Sequence, residues 1–210
     1  MKSIVSASAL TVLLGVSLLM TFSRGSWLGA LCSFLLMVFL SRRYILAVWV
    51  AVLFALAVVL SPGVRERILF TFLPAGDADR FVVWKTALQM IKAHPFLGNG
   101  VGLFMTHFSA SRSGLIPQYA HNCFLQIWAE TGIFSLLSFL ACIGIILNAG
   151  IKRIRERMDP LLLGLVCGVS GFLVHSFFDT DLYSVQLAAL FWVVLGLLCA
   201  RIAAQAEPRG

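Results

Sequence analysis

"HNCFLQIWAETGIFSLLSFLACIGIIL", His121 to Leu147, is apolar along most of its length yet carries His121, Asn122, Gln126 and Glu130 in its opening turns. The bilayer core takes helices of about 20 apolar residues, so a run of this length predicts a membrane-crossing helix. Asn122, Gln126 and Glu130 are spaced by four and form a slowly drifting polar stripe on one face. Hydrocarbon makes such a stripe costly, which predicts that it faces protein or a water-filled cavity. Glu130 lies roughly 13 Å along the axis from His121, too deep to orient that ring directly. Its expected role is structural, or as partner to a polar group on another helix.

His121 is expected at the outer end of this helix, at headgroup depth. A neutral imidazole there can accept a proton near physiological pH. The plainer alternative is an interfacial histidine bonded to backbone or water.

The composition points the same way. Of 210 residues, 60% are hydrophobic and only 12% charged, more apolar surface than a soluble domain of this length can bury. The net charge of +7 does not point to nucleic acid. Many of the cations sit between apolar runs, where topology or lipid phosphate places them. Five cysteines are present (Cys32, Cys123, Cys142, Cys167 and Cys199), four of them inside apolar runs and none in a CxxC pair. They predict neither a disulfide framework nor a zinc site, but small apolar packing. Cys123, near a helix end, is the one expected to have a chance of exposure.

The sequence carries six apolar runs: Ile4–Phe22, Trp27–Leu40, Tyr44–Leu60, Asn122–Leu147, Leu161–Phe178 and Leu182–Ala200. The first is too long for a signal-peptide core and lacks a clear cleavage site, which predicts a retained helix. The expectation is an all-α, polytopic membrane bundle of about six transmembrane helices, a single membrane domain over 1–210. Six spans put both termini on one side. Lys2, Arg42, Arg43, the Lys152–Arg157 cluster, Arg201 and Arg209 all fall on that side, which the positive-inside rule makes cytoplasmic.

A long loop, about 61–120, is then external, as is the short loop at Asp179–Asp181. Within the long loop, Asp77 or Asp79 is a candidate cap for a helix running to about Ala93. Phe81, Trp84, Leu88 and Ile91 share one face, Lys85, Gln89 and Lys92 another, which predicts an amphipathic helix at the membrane surface or over the bundle. Pro95 stops it. "GNGVG", Gly98–Gly102, follows no strand, so it is expected to be a flexible turn rather than a dinucleotide fingerprint.

Two further clusters carry chemistry. In "HSFFDTDL", His175 and Asp179 are spaced by four, and Asp179 and Asp181 share the external end with His121. They are candidates to bind a cation, to orient His175, or to cap the next helix, the last being favoured for Asp181. Two carboxylates and one histidine are too few to predict a metal site. In "TFSRGSWLG", Thr21–Gly29, Arg24 sits between two apolar runs. It either snorkels to headgroup phosphate or offers a fork of donors to a phosphate or pyrophosphate. Arg80 has the same choice near a helix N-terminus, where anions are favoured, with an ion pair to Asp77 or Asp79 as its alternative.

Three motifs in order, "SRGSWLG", "DADRFVVWKTALQMIKAHPFLGNGVGLF" and "HNCFLQIWAETG", resemble the C-terminal half of the O-antigen ligase and O-antigen polymerase-like family. "HSFFDTDL" is similar to a late motif of that family. The resemblance implies a bacterial cytoplasmic (inner) membrane enzyme with an external active site. It implies an inverting, metal-independent glycosyltransferase without cofactor. Such an enzyme moves a glycan from undecaprenyl pyrophosphate to an acceptor hydroxyl on lipid A-core or another glycan. By matched position it implies His121 as the catalytic base and Arg24 and Arg80 as pyrophosphate-binding residues. Asn122, Glu130, His175 and Asp179 are the supporting polar residues. Direct attack on the anomeric carbon inverts it, and fixed guanidinium groups stabilise the leaving diphosphate. Family members usually carry about twice as many membrane helices. The expectations for this chain are therefore a truncated product, a divergent short member, or half of a split protein whose partner is the N-terminal half. Polymerase and bicarbonate or small-solute transporter are the alternative activities in the same superfamily, and a scaffold without activity is the third.

Overall fold

The computed structural model of the protein describes residues 2–21, 23–45, 78–111 and 119–205, with scattered positions between 48 and 66. The described residues form seven α-helices and one 3-10 turn, with no strand among them. In chain order these are α1 (Lys2–Met20), α2 (Arg24–Ser41), α3 (Ala78–Ala93), α4 (Phe104–Ser111), α5 (Cys123–Glu156), α6 (Pro160–His175), the 3-10 turn Asp181–Tyr183, and α7 (Val185–Ala204). The protein is all-α. Among the described residues, three helices are long and apolar enough to cross a membrane: α2, α5 and α7. The apolar helix α6 is shorter, and most of the third apolar run lies outside the described residues, as does the expected cap Asp77, whereas Asp79 is the second residue of α3.

Local chemistry sets the helix starts. Ser23 caps α2 by accepting the Ser26 N–H at 3.3 Å, and Asn122 caps α5 by accepting the Leu125 N–H at 2.9 Å. Asp159 caps α6, taking the N–H groups of Leu161 and Leu162 at 2.9 and 3.0 Å, with Pro160 next in line, where no N–H is needed.

Helices α2, α6 and α7 pack with the long arm of α5 around Leu162, Val166, Phe191, Leu195 and Leu198, all nearly inaccessible. Helix α2 lies closest to α6, because glycines remove the side chains between them. A Cβ on Gly171 would meet the Gly29 carbonyl oxygen at 2.8 Å, and one on Gly25 would meet Phe178 Cβ at 2.8 Å. The Ser33 hydroxyl donates to the Cys167 carbonyl across the same seam.

The amphipathic helix α3 is present, but its buried face is not the expected one. Val83, Ala87, Met90 and Ile91 are buried against α4 and α5, while Phe81 and Leu88 are 66% and 49% exposed. The helix is rotated because its partner is protein: residues 83, 87, 90 and 91 line the stripe that meets Phe104, Phe108 and Ala129. Helix α4 has no local capping residue. Its Phe104 N–H is taken at 3.1 Å by Glu130, from another helix.

Helix α5 is broken at Gly132, whose φ of 84° and ψ of 171° are accessible only to glycine. The break frees carbonyls that the helix would otherwise satisfy, and an apolar surrounding cannot satisfy them. The "GNG" turn does so instead. Asn99 N–H donates to the Ala129 carbonyl at 3.1 Å and Gly100 N–H to the Glu130 carbonyl at 2.9 Å. Ile133 N–H in turn donates to the Pro95 carbonyl at 3.0 Å. The turn expected to be flexible is thus a docked element, with Gly98, Gly100 and Gly102 all at positive φ.

Candidate active site

The candidate residues His121, Asn122, His175 and Asp179 gather where α5 begins and α6 ends. Cys123 N–H, the first of α5, donates to the carbonyls of Ser176 and Asp179 at 2.8 and 3.1 Å. This pins the residue before the cap, His121, beside the 176–181 loop. His121 itself has a φ of 46°, in the left-handed region that few non-glycine residues adopt. Its Nδ1 stands 3.4 Å from Asp179 Oδ1, and its side chain is 38% exposed, so the rest of the ring is open to solvent or substrate. The bond to His121 holds the Asp179 carboxyl below the usual carboxylate range, and the Thr180 N–H at 2.8 Å adds to this against the opposing effect of burial.

The same loop reaches α2. His175 Nδ1 lies 2.6 Å from Asp181 Oδ2, and His175 Nε2 lies 3.1 Å from Ser26 Oγ. Arg24, the first residue of α2, therefore belongs to the same end of the bundle as His121. Arg80 lies in the first turn of α3. One turn further on, Trp84 donates its indole N–H to the Ala120 carbonyl at 3.0 Å, next to His121 in the chain. Two helix starts, those of α2 and α5, thus meet one loop, and each brings one residue that the motifs single out.

The polar stripe on α5 serves the fold at this end. Asn122, Gln126 and Glu130 are 5%, 0% and 1% exposed. Asn122 is spent on the cap. Gln126 Oε1 accepts the Ala120 N–H at 3.0 Å, holding the segment that leads into His121. Glu130 accepts from Gly102 N–H, Phe104 N–H and the Tyr183 hydroxyl at 3.0, 3.1 and 3.1 Å.

Two expectations are corrected here, the cap from Asp181 and the exposure of Cys123, and of the alternatives for the two aspartates it is the orienting of His175 that Asp181 fulfils. Asp181 does not cap α7: its carboxylate, 3% exposed, faces His175 and the Ser176 hydroxyl. His175 pairs through its ring with Asp181, while Asp179 serves His121. Cys123 is fully buried, and its sulfur accepts the Leu182 N–H at 3.4 Å. Sequence reasoning passed over Ser26. Its signal was the second serine of "SRGS", three residues after the first, where only one of the two is needed as a cap.

His175, Asp179 and Asp181 bring one ligand-type atom each within 4.8 Å of one another. The same three side chains bond to Ser26, Ser176, Thr180 and His121. The cluster is built as a hydrogen-bond network. Beside it, Tyr119, Asp179, Thr180, Tyr183 and Leu187 line an open pocket of about 250 Å³.

No curated protein and no solved structure matches the chain. The pattern that defines the family described as O-Antigen ligase matches residues 9–140, well over half of the chain, and takes in Arg24, Arg80 and His121. With its apolar helices and this match, the chain is a membrane protein that belongs to the O-antigen ligase family.

Proposed function

We propose that the protein transfers a glycan from undecaprenyl pyrophosphate to an acceptor hydroxyl, on lipid A-core or on another glycan, at the non-cytoplasmic face of the bacterial inner membrane. The observation that carries this reading is the position of His121. Its ring is partly exposed beside the ionised Asp179, at the bundle end where α2 begins with Arg24. A sugar hydroxyl is a weak nucleophile until a base takes its proton in the transition state. His121 takes it through Nε2, while Asp179 accepts from Nδ1 and stabilises the imidazolium. As the bond to the carrier breaks, negative charge grows on the diphosphate, and Arg24 and Arg80 stabilise it. Attack and departure on opposite faces of the anomeric carbon invert it.

The transporter alternative needs a polar path along α5. Glu130 and Gln126 are committed to backbone amides and are closed to solvent, which favours the transferase. The test is complementation of a ligase-deficient strain by the chain, alone and with the N-terminal half of a longer family member, scored by surface glycan attached. Attachment that persists at the wild-type level with His121→Ala would remove the proposed base.

A further inference from the structure

Ser26, His175 and Asp181 form one continuous chain of hydrogen bonds, at 3.1 and 2.6 Å, drawn from α2, α6 and the 3-10 turn. Its two ends differ. Asp181 is sealed at 3% exposure and also accepts the hydroxyl of the fully buried Ser176 at 3.0 Å. Ser26 and His175 line an open groove of about 310 Å³ between α2 and α6. The chain therefore leads from a buried carboxylate to a reachable hydroxyl. Glycine makes the contact feasible: a Cβ on Gly25 would stand 3.2 Å from His175 Cδ2.

The proton positions follow from the acceptors. Asp181 accepts from two donors, so His175 Nδ1 carries a proton. Nε2 then decides what Ser26 presents. With a neutral ring, Nε2 accepts the serine proton and Oγ turns only lone pairs toward the groove, which repels an anion. With a protonated ring, Nε2–H donates to Oγ and the serine O–H is released outward as a donor. Arg24 stands two residues earlier on the same first turn of α2.

We propose that Ser26 contacts the diphosphate of the lipid-linked donor, and that His175, backed by Asp181, is the positioning residue that turns the serine proton toward it. Binding of the diphosphate then takes up a proton from solvent at His175, and no covalent bond to Ser26 forms or breaks. The charged and titratable groups around His175 are Asp181 and Asp179 on its own loop, Cys123 and His121 where α5 begins, and Arg24 on α2. The two carboxylates favour the protonated ring. This inference rests on the transferase reading for the identity of the ligand.

The experiment is titration calorimetry of the purified full chain with farnesyl diphosphate, at neutral pH, in two buffers of different ionisation enthalpy. Wild type is expected to take up a measurable fraction of a proton per diphosphate bound, and His175→Asn and Asp181→Asn to lose that uptake. Ser26→Ala is expected to bind about tenfold more weakly, the scale of one hydrogen bond to a charged group, with recovery in Ser26→Thr. Unchanged uptake in His175→Asn, affinity in Ser26→Ala within about twofold of wild type, or a serine-linked glycan found by mass spectrometry would each overturn the proposal. If the histidine variant fails to fold, the Ser26 pair still decides. Binding lost in Arg24→Ala but kept in Ser26→Ala sinks this inference alone. No binding of farnesyl diphosphate by wild type sinks the transferase reading with it.

Discussion

Asp179 Oδ1 stands 3.4 Å from Nδ1 of His121, which precedes it by 58 residues and sits on left-handed backbone. The two facts separate position from chemistry. Asparagine tolerates this backbone better than most residues but cannot act as a base. His121→Asn is therefore expected to fold, to reach the membrane and to melt close to wild type. Its transfer rate should fall by about 10²–10⁴-fold, the usual contribution of a general base. A rate assay with a polyprenyl-diphosphate-linked glycan, beside a melting curve in detergent, checks both halves.

Gly25 fixes how closely α2 approaches the site. An added Cβ would meet Phe178 Cβ at 2.8 Å and His175 Cδ2 at 3.2 Å, neither of which is the tip of a flexible chain. Gly25→Ala is expected to push the Arg24 turn off the loop that carries Asp179 and Asp181. Transfer should drop at least tenfold while the protein stays folded, because the rest of the α2–α6 seam is untouched. Gly15→Ala, where a Cβ meets nothing within 4 Å, is the control expected to behave as wild type in the same assay.

The docked turn makes a harsher prediction. A Cβ on Gly132 would lie 2.0 Å from the Phe96 carbonyl oxygen, and one on Gly98 would lie 2.2 Å from that of Glu130. Both glycines also hold positive φ. Strain at such sites costs about 1–3 kcal/mol before any clash is counted. Gly132→Ala and Gly98→Ala should each abolish recovery of folded protein from membranes, measured by fluorescence-detected size exclusion.

How far the sequence discloses this arrangement depends on the range of each interaction. The helices of α2, α5 and α7, and the polar stripe of α5, are legible because apolar length and four-residue spacing are local signals. The break at Gly132 is not, since a glycine in an apolar run is ordinary, and what stabilises the break lies in the 95–100 segment. Helix α4 is hidden for the same reason: its cap, Glu130, comes from another helix. The face of α3 could not be chosen from pattern alone, because Phe81 and Leu88 are as apolar as Val83 and Met90. At the site, the His175–Asp179 spacing drew attention to the right loop but to the wrong partner. Which aspartate meets which histidine is settled by how α5 docks on Ser176, a contact between segments distant in sequence.

Glu130 separates a structural carboxylate from a transporting one. It ties α4, the glycine turn, Gln126 and Tyr183 to one side chain. Glu130→Gln replaces an acceptor oxygen by an NH₂ group facing donors, and leaving a buried group unpaired costs about 1–3 kcal/mol. The variant should melt several degrees lower and lose activity only in step with its folded fraction. Proteoliposomes carrying wild type should show no bicarbonate flux above empty vesicles. Flux abolished by this substitution would turn the reading toward transport.

At the opposite end of the bundle, Asp159 takes the first amides of α6 through one oxygen. Through the other it takes Arg201 Nε and Gln205 Nε2 at 2.9 and 2.7 Å. The Leu162 N–H, then Arg201 and Gln205, hold its carboxyl below the usual range. A group whose folded pKa is lowered contributes stability that is complete above its unfolded value, about 3.9, and lost as pH falls through the folded one. Asp179, lowered by His121, has the same sign. Melting temperature should therefore hold steady down to about pH 4 and decline below it, over a window that these two residues share. Asp159→Asn keeps an effective helix cap without the charge, and should flatten part of that acid decline while lowering stability at neutral pH. Asp159→Ala loses the cap as well, a further cost of about 1 kcal/mol. The difference between the two variants at neutral pH measures the cap, and the difference in acid slope between wild type and Asp159→Asn measures what the Asp159 charge gains from the Leu162 N–H, Arg201 and Gln205 together. An acid slope identical in all three would mean that this charge carries no stability.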